Sequence, residues 1–251
     1  MRLGGYMKLT LQDYPGSVAA ICFTNACQLR CPYCHNAELV LSNVQRDNKA
    51  EEKTSHEFLY YLEQRRFQLD GVVISGGEPL LQHDIQDFLH KIKSLGLKIK
   101  LDTNGLLPEK LGELISHGLV DYVALDYKNC REHFAETVGL SNFEDQKIID
   151  DCLNNWKTSL NCLRKNKIPY ELRTTVVREL HPLYALIGMA ESIRMKAARQ
   201  EPWFLQSFFR KGQLMYNYTN QDITLSAYSI EEMEEIKQEL KKIIPYIQLR
   251  G

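Results

Sequence analysis

Short apolar segments alternate with longer amphipathic ones, and this alternation constrains the fold more than any other feature of the sequence. The segments that predict strands cover residues 18–23, 72–75, 98–103, 122–127, 171–177 and 203–209. Those that predict helices cover residues 56–67, 85–95, 109–118, 150–166, 183–198 and 229–244. Strands that alternate with helices of this length indicate βαβ units on a parallel sheet. Six such units are two short of the eight in a closed barrel, so we predict an α/β fold, an open, partial (β/α)6 barrel.

The composition excludes several classes of protein. Of the 251 residues, 44% are hydrophobic and 25% charged, as is ordinary for a globular protein. The 31 basic and 32 acidic residues leave a net charge of −1, which favours neither a nucleic acid nor a membrane as partner. The sequence shows no signal-peptide pattern and no apolar run long enough to span a bilayer. We therefore expect a cytoplasmic protein whose thiols stay reduced.

Three cysteines lie close together directly after the first predicted strand. Cys27, Cys31 and Cys34 form a C-x3-C-x2-C loop. A structural zinc site usually closes with four ligands, and one completed by His35 is a possible interpretation. Three thiolates with an open fourth position are also what a catalytic iron–sulfur cluster requires, and we favour that interpretation. The remaining cysteines, which we do not expect to be ligands, are Cys22, Cys130, Cys152 and Cys162.

The segment ISGGEP ends the second predicted strand, on the side of a barrel that should face the active site. Gly76 and Gly77 permit a close approach between the backbone and a ligand, and Glu78 offers a carboxylate to a cation. An ordinary turn between a strand and a helix is equally compatible with this segment.

Two carboxylates and one ammonium follow at the ends of the next two predicted strands. Asp102 lies in LDTNG, and Asp126 and Lys128 lie in ALDYK. Either aspartate alone could cap a turn or join a surface ion pair. Together they should lie on one rim of the barrel, where a hard cation would neutralise crowded carboxylates.

The fifth predicted strand, ELRTTVV, contributes one more charged residue. Arg173 alternates with apolar neighbours, so it either points into the barrel or pairs with an acid outside it. His181 follows this strand and is either close to the site or a solvated loop residue. The aromatic segment PWFLQSFF predicts mainly core packing.

The cysteine motif after the first strand, with Tyr33 before the last cysteine, resembles that of the radical S-adenosylmethionine superfamily. The segments LTLQDYPGSVAAICFTNAC and CPYCHNAELV resemble the activating enzymes of glycyl radical enzymes, most of all the longer form of the anaerobic ribonucleoside-triphosphate reductase activating protein. The resemblance covers nearly the whole chain. It implies a single radical S-adenosylmethionine domain over residues 1–251.

The resemblance also implies the cofactors and the residues that bind them. A [4Fe–4S] cluster would lie on Cys27, Cys31 and Cys34, and S-adenosylmethionine would chelate the open iron. In some relatives an Asp-Thr pair, here Asp102 and Thr103, joins the aspartate that is Asp126 here in binding a monovalent cation, so such a cation is a further expectation. The implied cofactor-binding residues are Tyr33, His35, Gly76, Gly77, Glu78, Asp102, Asn104, Asp126, Lys128, Arg173 and His181.

The activity that the resemblance implies is that of an anaerobic oxidoreductase. It would cleave S-adenosylmethionine reductively, with an electron from flavodoxin or ferredoxin, and generate a glycyl radical on a partner enzyme. Anaerobic ribonucleotide reductase is the first candidate partner and pyruvate formate-lyase the second. The alternatives are a small-molecule radical enzyme such as a deazaguanine-forming synthase, a peptide maturase, and a zinc-binding interaction module. Residues 35–55 contain no cysteine, so we expect a single cluster.

Overall fold

The computed structural model describes residues 1–41, 48–140, 146–194, 202–210, 212–218 and 224–250. The chain forms two compact units, each assembled from separate segments. The first unit comprises Met1–Gln28, Glu38–Ala124 and Asn155–Pro169. The second comprises Leu29–Ala37, Leu125–Asn154 and Tyr170–Gly251. A single domain over residues 1–251 stays a prediction.

All six predicted strands are present, and two more are found. The strands are β1 (Leu3–Thr10), β2 (Ala19–Thr24), β3 (Gly71–Gly76), β4 (Lys98–Thr103), β5 (Tyr122–Asp126), β6 (Tyr170–Val176), β7 (Trp203–Ser207) and β8 (Ile247–Arg250). The sequence pattern did not predict β1 or β8.

All six predicted helices are also present, with two short additions. The helices are α1 (Ala37–Leu41), α2 (Asn48–Arg65), α3 (Ile85–Ser94), α4 (Pro108–Ser116), α5 (Arg131–Val138), α6 (Gln146–Asn166), α7 (Leu183–Arg194) and α8 (Ile230–Lys241). The unpredicted ones are α1 and α5, and the end of the predicted helix 183–198 lies outside the described residues. Among the helices that the structure describes, none combines the length and the apolar character needed to cross a membrane.

Two helix ends show capping patterns that the sequence explains. The Ser229 side chain accepts a hydrogen bond from the Glu232 N–H, and the Glu232 carboxylate accepts one from the Ser229 N–H, so that the two form a capping box at the start of α8. Helix α4 ends at Ser116, and Gly118, just beyond that end, has a φ of 67° in the left-handed region that glycine adopts readily.

In the first unit, β1 is antiparallel to β2, and β2, β3 and β4 are parallel. Ile21, Val73 and Lys100 occupy one register position across the three parallel strands. Strands β2 and β3 are almost entirely buried, as their continuous apolar sequences predict for a parallel sheet. Because the strands are parallel, their C-terminal ends at Thr24, Gly76 and Thr103 lie along the same edge.

In the second unit, β6, β7 and β8 are parallel, with Leu172, Trp203 and Ile247 in one register. The last strand is fastened by a bidentate ion pair, in which Arg250 donates to both oxygens of the fully buried Glu171. Strand β8 has only four residues, and its pairing with β7 and this long-range ion pair are not visible in its sequence.

Candidate functional site

The two glycines of ISGGEP bring the end of β3 against the backbone that leads into the cysteine loop. The Gly77 N–H donates to the Thr24 carbonyl over 2.9 Å, and the Glu78 N–H donates to the Ala26 carbonyl over 2.7 Å. A Cβ atom on Gly77 would clash with the Ala26 backbone, and Gly76 has a φ of 117°. The glycines therefore allow one backbone segment to approach another closely, and their contact with a ligand stays a prediction.

Glu78 is fully buried and joins the ends of β3 and β4. One carboxylate oxygen accepts hydrogen bonds from the Leu80 N–H at 3.1 Å and the Thr103 hydroxyl at 2.8 Å. The other accepts from the Asn104 N–H at 2.8 Å. A buried carboxylate needs several hydrogen-bond donors. These three contacts therefore explain how Glu78 can be buried here.

Asn104 connects this carboxylate to the first cysteine. Its side-chain nitrogen lies 3.8 Å from the sulfur of Cys27, within the range of a hydrogen bond to sulfur. Its side-chain oxygen accepts from the Gln28 side-chain amide at 3.2 Å and from the Leu106 N–H at 3.0 Å. These two bonds orient the amide so that its N–H groups point towards Cys27.

The carboxylate of Asp102 lies beside a residue that the sequence analysis did not select. The ammonium of Lys100 donates to Asp102 Oδ1 over 2.6 Å, and both side chains are buried. The two residues are two positions apart on β4 and therefore lie on the same face of the strand. The alternation in KIKLDT could have shown this, but a strand lysine is ordinarily interpreted as a surface residue.

In the second unit, backbone hydrogen bonds hold the loop of the other two cysteines. The Cys34 N–H donates to the Cys31 carbonyl over 2.9 Å. From the segment after β7, the Met215 N–H donates to the Cys34 carbonyl and the Tyr216 N–H to the Pro32 carbonyl, each over 3.1 Å. This segment, which carries no motif, supports the loop.

His35 is tied to the same segment. Its Nε2 lies 2.6 Å from the Phe209 carbonyl, which only a protonated ring nitrogen can satisfy. This bond leaves Nδ1 as the unprotonated ring nitrogen, so it does not distinguish a zinc ion from an iron–sulfur cluster at the cysteine loop.

Charge and burial act in opposite directions on the second cysteine. Burial raises the pKa of the Cys31 thiol to about 11, while the nearby Lys128 ammonium acts to lower it. Burial lowers the pKa of Lys128, but the negative charge of Asp126 and the hydrogen bond to that carboxylate help to hold the pKa well above its usual value. Tyr33 is buried beside this cation, and burial raises the pKa of its hydroxyl above the usual range.

Asp126 accepts hydrogen bonds from two cations. Lys128 Nζ lies 2.9 Å from one carboxylate oxygen, and Arg173 Nη2 lies 3.1 Å from the other. Arg173 is thus directed at Asp126. One carboxylate between two cations leaves a net positive charge, which is suited to an anionic group of a ligand.

His181 is fully buried and not solvated. Its Nδ1 accepts from the Val177 N–H at 3.2 Å, and its Nε2 lies 2.8 Å from the Lys128 carbonyl, to which it donates. Burial lowers the pKa of this imidazole to about 4, so the ring is neutral at neutral pH. His181 also packs edge-on against Tyr33, with ring centroids 6.3 Å apart.

The fit of these residues to an iron–sulfur cluster rests on the chemistry of the donors. Within the part of the chain that the structure describes, no three His, Cys, Asp or Glu side chains form a ready-made metal site. Three thiols are nevertheless the ligands that such a cluster takes. An amide N–H beside Cys27 and a cation near Cys31 would both stabilise anionic sulfur, so the donor set fits.

Comparisons with known proteins agree with this chemistry. Residues 21–177 match the Radical SAM superfamily. A Methanocaldococcus jannaschii protein, provisionally named a glycyl-radical enzyme activating enzyme, is 34% identical over 199 residues, or 76% of this chain and 75% of the relative. A 7-carboxy-7-deazaguanine synthase of Hyperthermus butylicus is 33% identical over 96 residues, 38% of each chain. A pyruvate formate-lyase 1-activating enzyme of Escherichia coli is 31% identical over 135 residues, 52% of this chain and 53% of the relative.

Two solved structures share the fold. Streptococcus suis SuiB bound to S-adenosylmethionine gives a TM-score of 0.65 at 14% identity, covering 92% of this chain and 49% of SuiB. A radical SAM methyltransferase from Sphaerobacter thermophilus gives 0.65 at 15% identity, covering 96% of this chain and 68% of the methyltransferase. They confirm the predicted α/β partial-barrel fold class. Since the family match spans more than half of its length, the chain belongs to the radical SAM superfamily, as an enzyme whose cofactors are a [4Fe–4S] cluster and S-adenosylmethionine.

Proposed function

We propose that this radical SAM enzyme generates a glycyl radical on a partner enzyme, with anaerobic ribonucleotide reductase as the first candidate and pyruvate formate-lyase as the second. The observation that carries the proposal is the 34% identity to the M. jannaschii relative over 76% of this chain. The E. coli relative supports the same class of protein substrate. A flavodoxin or ferredoxin as electron donor and a cytoplasmic location complete the proposal.

In this proposal Cys27, Cys31 and Cys34 bind the cluster. When bound, the cluster and S-adenosylmethionine supply the one-electron cleavage that yields a hydrogen-abstracting radical. The protein contributes ligation and orientation. Asn104 donates to the Cys27 sulfur, and Lys128 lowers the pKa of the Cys31 thiol against the effect of burial, so both favour the anionic ligands.

Asp126, Lys128 and Arg173 are proposed to bind the methionine end of the cofactor. The net positive charge of this trio complements the methionine carboxylate. More than four fifths of the Lys128 and Arg173 side chains is shielded from solvent, which strengthens such a contact relative to one in water.

Several other predicted site residues are proposed to position the site. Glu78 fixes Thr103 and Asn104, and the two glycines before it hold the strand end against the residues that precede Cys27. His181 holds the Lys128 carbonyl and packs against Tyr33. Removing these contacts would displace the groups that touch the cofactor.

The test measures the transfer of a hydrogen atom from the glycine Cα of the partner enzyme to 5′-deoxyadenosine. The reconstituted, reduced enzyme is mixed with S-adenosylmethionine and anaerobic ribonucleotide reductase whose glycine is deuterated at Cα. We expect a glycyl doublet in the electron paramagnetic resonance spectrum and deuterium in 5′-deoxyadenosine. Pyruvate formate-lyase is tested in parallel, and the Cys31→Ala variant is the control.

The alternative substrate class is tested in the same way. The 33% identity to a deazaguanine synthase covers 38% of this chain, so the pterin substrate of a deazaguanine-forming synthase is the small molecule to compare. Turnover of that pterin, with neither partner protein giving a glycyl signal, would overturn the proposal.

A further inference from the structure

An ion pair is buried at the end of β4, within the first unit. Lys100 is fully buried although it carries an ammonium, and that ammonium lies 2.6 Å from Asp102 Oδ1. Val73, an apolar core residue, is the neighbour of Lys100 in register on β3. A buried ion pair is often no more stabilising than apolar residues of the same volume, so stability alone does not explain a lysine in this position.

The direction of the Lys100 side chain indicates what the pair does. From its position among apolar neighbours, the side chain carries its charge to Asp102, nearer the C-terminal end of β4. Asp102 is followed directly by Thr103 and Asn104, which Glu78 holds, and Asn104 donates to Cys27. The pair therefore adjoins the network that leads to the first cysteine.

A monovalent cation beside a carboxylate is attracted by the negative charge of that carboxylate and takes oxygen ligands. The pair of Lys100 and Asp102 carries no net charge, and an ammonium already lies against Oδ1. A metal cation at this carboxylate would be repelled by the ammonium at short range. The carboxylate therefore does not fit the monovalent-cation site that its sequence motif suggests.

We propose that Lys100 is a permanent internal cation of the cofactor site, which takes the place of an exchangeable potassium or sodium ion beside Asp102. The proposal rests on the proposed cofactor site. It predicts that S-adenosylmethionine binds without added alkali cation. A fixed ammonium also differs from a bound ion in that it cannot be lost by dilution or by exchange of salt.

The first experiment uses the reconstituted wild-type enzyme under anaerobic conditions. The affinity for S-adenosylmethionine is measured by equilibrium dialysis in choline chloride, sodium chloride and potassium chloride at one ionic strength. We expect the dissociation constants to agree within about twofold. A tightening of about tenfold or more in potassium or sodium would overturn the inference. Failure of S-adenosylmethionine to bind in any salt would instead reject the proposed cofactor site.

The second experiment removes the charge of Lys100 and asks whether a potassium or sodium ion can replace it. In Lys100→Met, Asp102 loses its counter-charge, so S-adenosylmethionine should bind at least about tenfold more weakly in choline and recover in potassium or sodium. The melting temperature should likewise rise when potassium replaces choline. Lys98→Met is the matched control, because Lys98 is an exposed lysine on the same strand, and it should behave as the wild type.

A double variant keeps the inference testable if Lys100→Met does not fold. Lys100→Met with Asp102→Asn removes both charges, and it should fold and show no response of the melting temperature to potassium. If Lys100→Met folds and binds S-adenosylmethionine as tightly as the wild type in choline, the lysine has only a structural role and the inference is wrong. A potassium response in the double variant would show that the ion binds elsewhere, which would also contradict it.

Discussion

The side-chain amide of Asn104 donates a hydrogen bond to the sulfur of Cys27 across 3.8 Å. The backbone of Asn104 is in turn held by Glu78 at 2.8 Å, so a buried acid at the end of β3 controls a donor at the end of β4. Hydrogen bonds to the sulfur ligands of an iron–sulfur cluster are one of the factors that set its reduction potential. Asn104 of LDTNG and Glu78 of GGEP thus act together on Cys27. Neither motif by itself shows this chain of hydrogen bonds.

Asn104→Ala should make the reduction potential of the cluster more negative, because a donor to an anionic sulfur stabilises the reduced state more than the oxidised state. A hydrogen bond worth about 1 kcal/mol corresponds to about 40 mV for one electron. The potential is measured by redox titration followed by electron paramagnetic resonance. Asn166→Ala is the matched control, since Asn166 donates to the sulfur of Cys162, which is not a proposed ligand. Equal potentials in Asn104→Ala and the wild type would contradict a role for this bond.

Cys31→Ala should abolish the iron–sulfur cluster, because the cluster would lose one of three thiolate ligands. Iron and sulfide content and the visible absorption of the reconstituted protein measure this directly. Cys152→Ala and Cys162→Ala should retain the full iron content, since both residues lie in α6. Loss of the cluster in Cys152→Ala to the same degree would disprove the assignment of three ligands to the cysteine loop.

Lys128→Ala should weaken S-adenosylmethionine binding and leave the iron content of the protein unchanged. A charge-assisted hydrogen bond is typically worth about 1.5–3 kcal/mol, which corresponds to a loss in affinity of roughly tenfold to hundredfold. Equilibrium dialysis gives the affinity, and Asp126→Ala should show the same pattern. Lys165→Ala, which removes an exposed lysine near the end of α6, should bind the cofactor normally. The trio would not be part of the site if both Lys128→Ala and Asp126→Ala bound as the wild type does.

His181 should make the protein less stable in acid. Burial lowers its pKa in the folded state to about 4, below its usual 6.5, with the charges of Lys128 and His133 acting in the same direction. Between about pH 6.5 and pH 4 the unfolded chain therefore binds a proton at this histidine that the folded protein does not bind. The free energy of unfolding falls as the pH drops through this range. Between about pH 7 and pH 5 this one group should lower the free energy of unfolding by about 2 kcal/mol.

The measurement compares urea denaturation of the wild type and His181→Gln at the two pH values. The variant should lose less stability in acid than the wild type, although it starts from a lower stability. His117→Gln is the control, because it makes the same substitution at an exposed histidine. An unchanged pH dependence in His181→Gln would show that other groups govern the acid response.

The sequence was sufficient to predict the strands and helices that have a regular hydrophobic pattern. Alternation of apolar and amphipathic segments predicted β2 to β7 and the long helices, because their burial follows a regular pattern that is visible locally. The pattern did not predict strands β1 and β8, for physical reasons. LGGYMKLT has two glycines and no continuous apolar run, and β8 has only four residues, with Arg250 paired to Glu171, 79 positions away.

For the site, the sequence by itself determined which residues stand at the strand ends: the three cysteines, Glu78, Asp102, and Asp126 with Lys128. Only the tertiary structure decided what each of them contacts. It placed Lys100 against Asp102, directed Arg173 to Asp126, and buried His181 as a neutral ring. The physical reason is that the position of a residue at a strand end depends on local sequence, whereas the partner of a buried charge depends on which side chains packing brings within hydrogen-bonding distance.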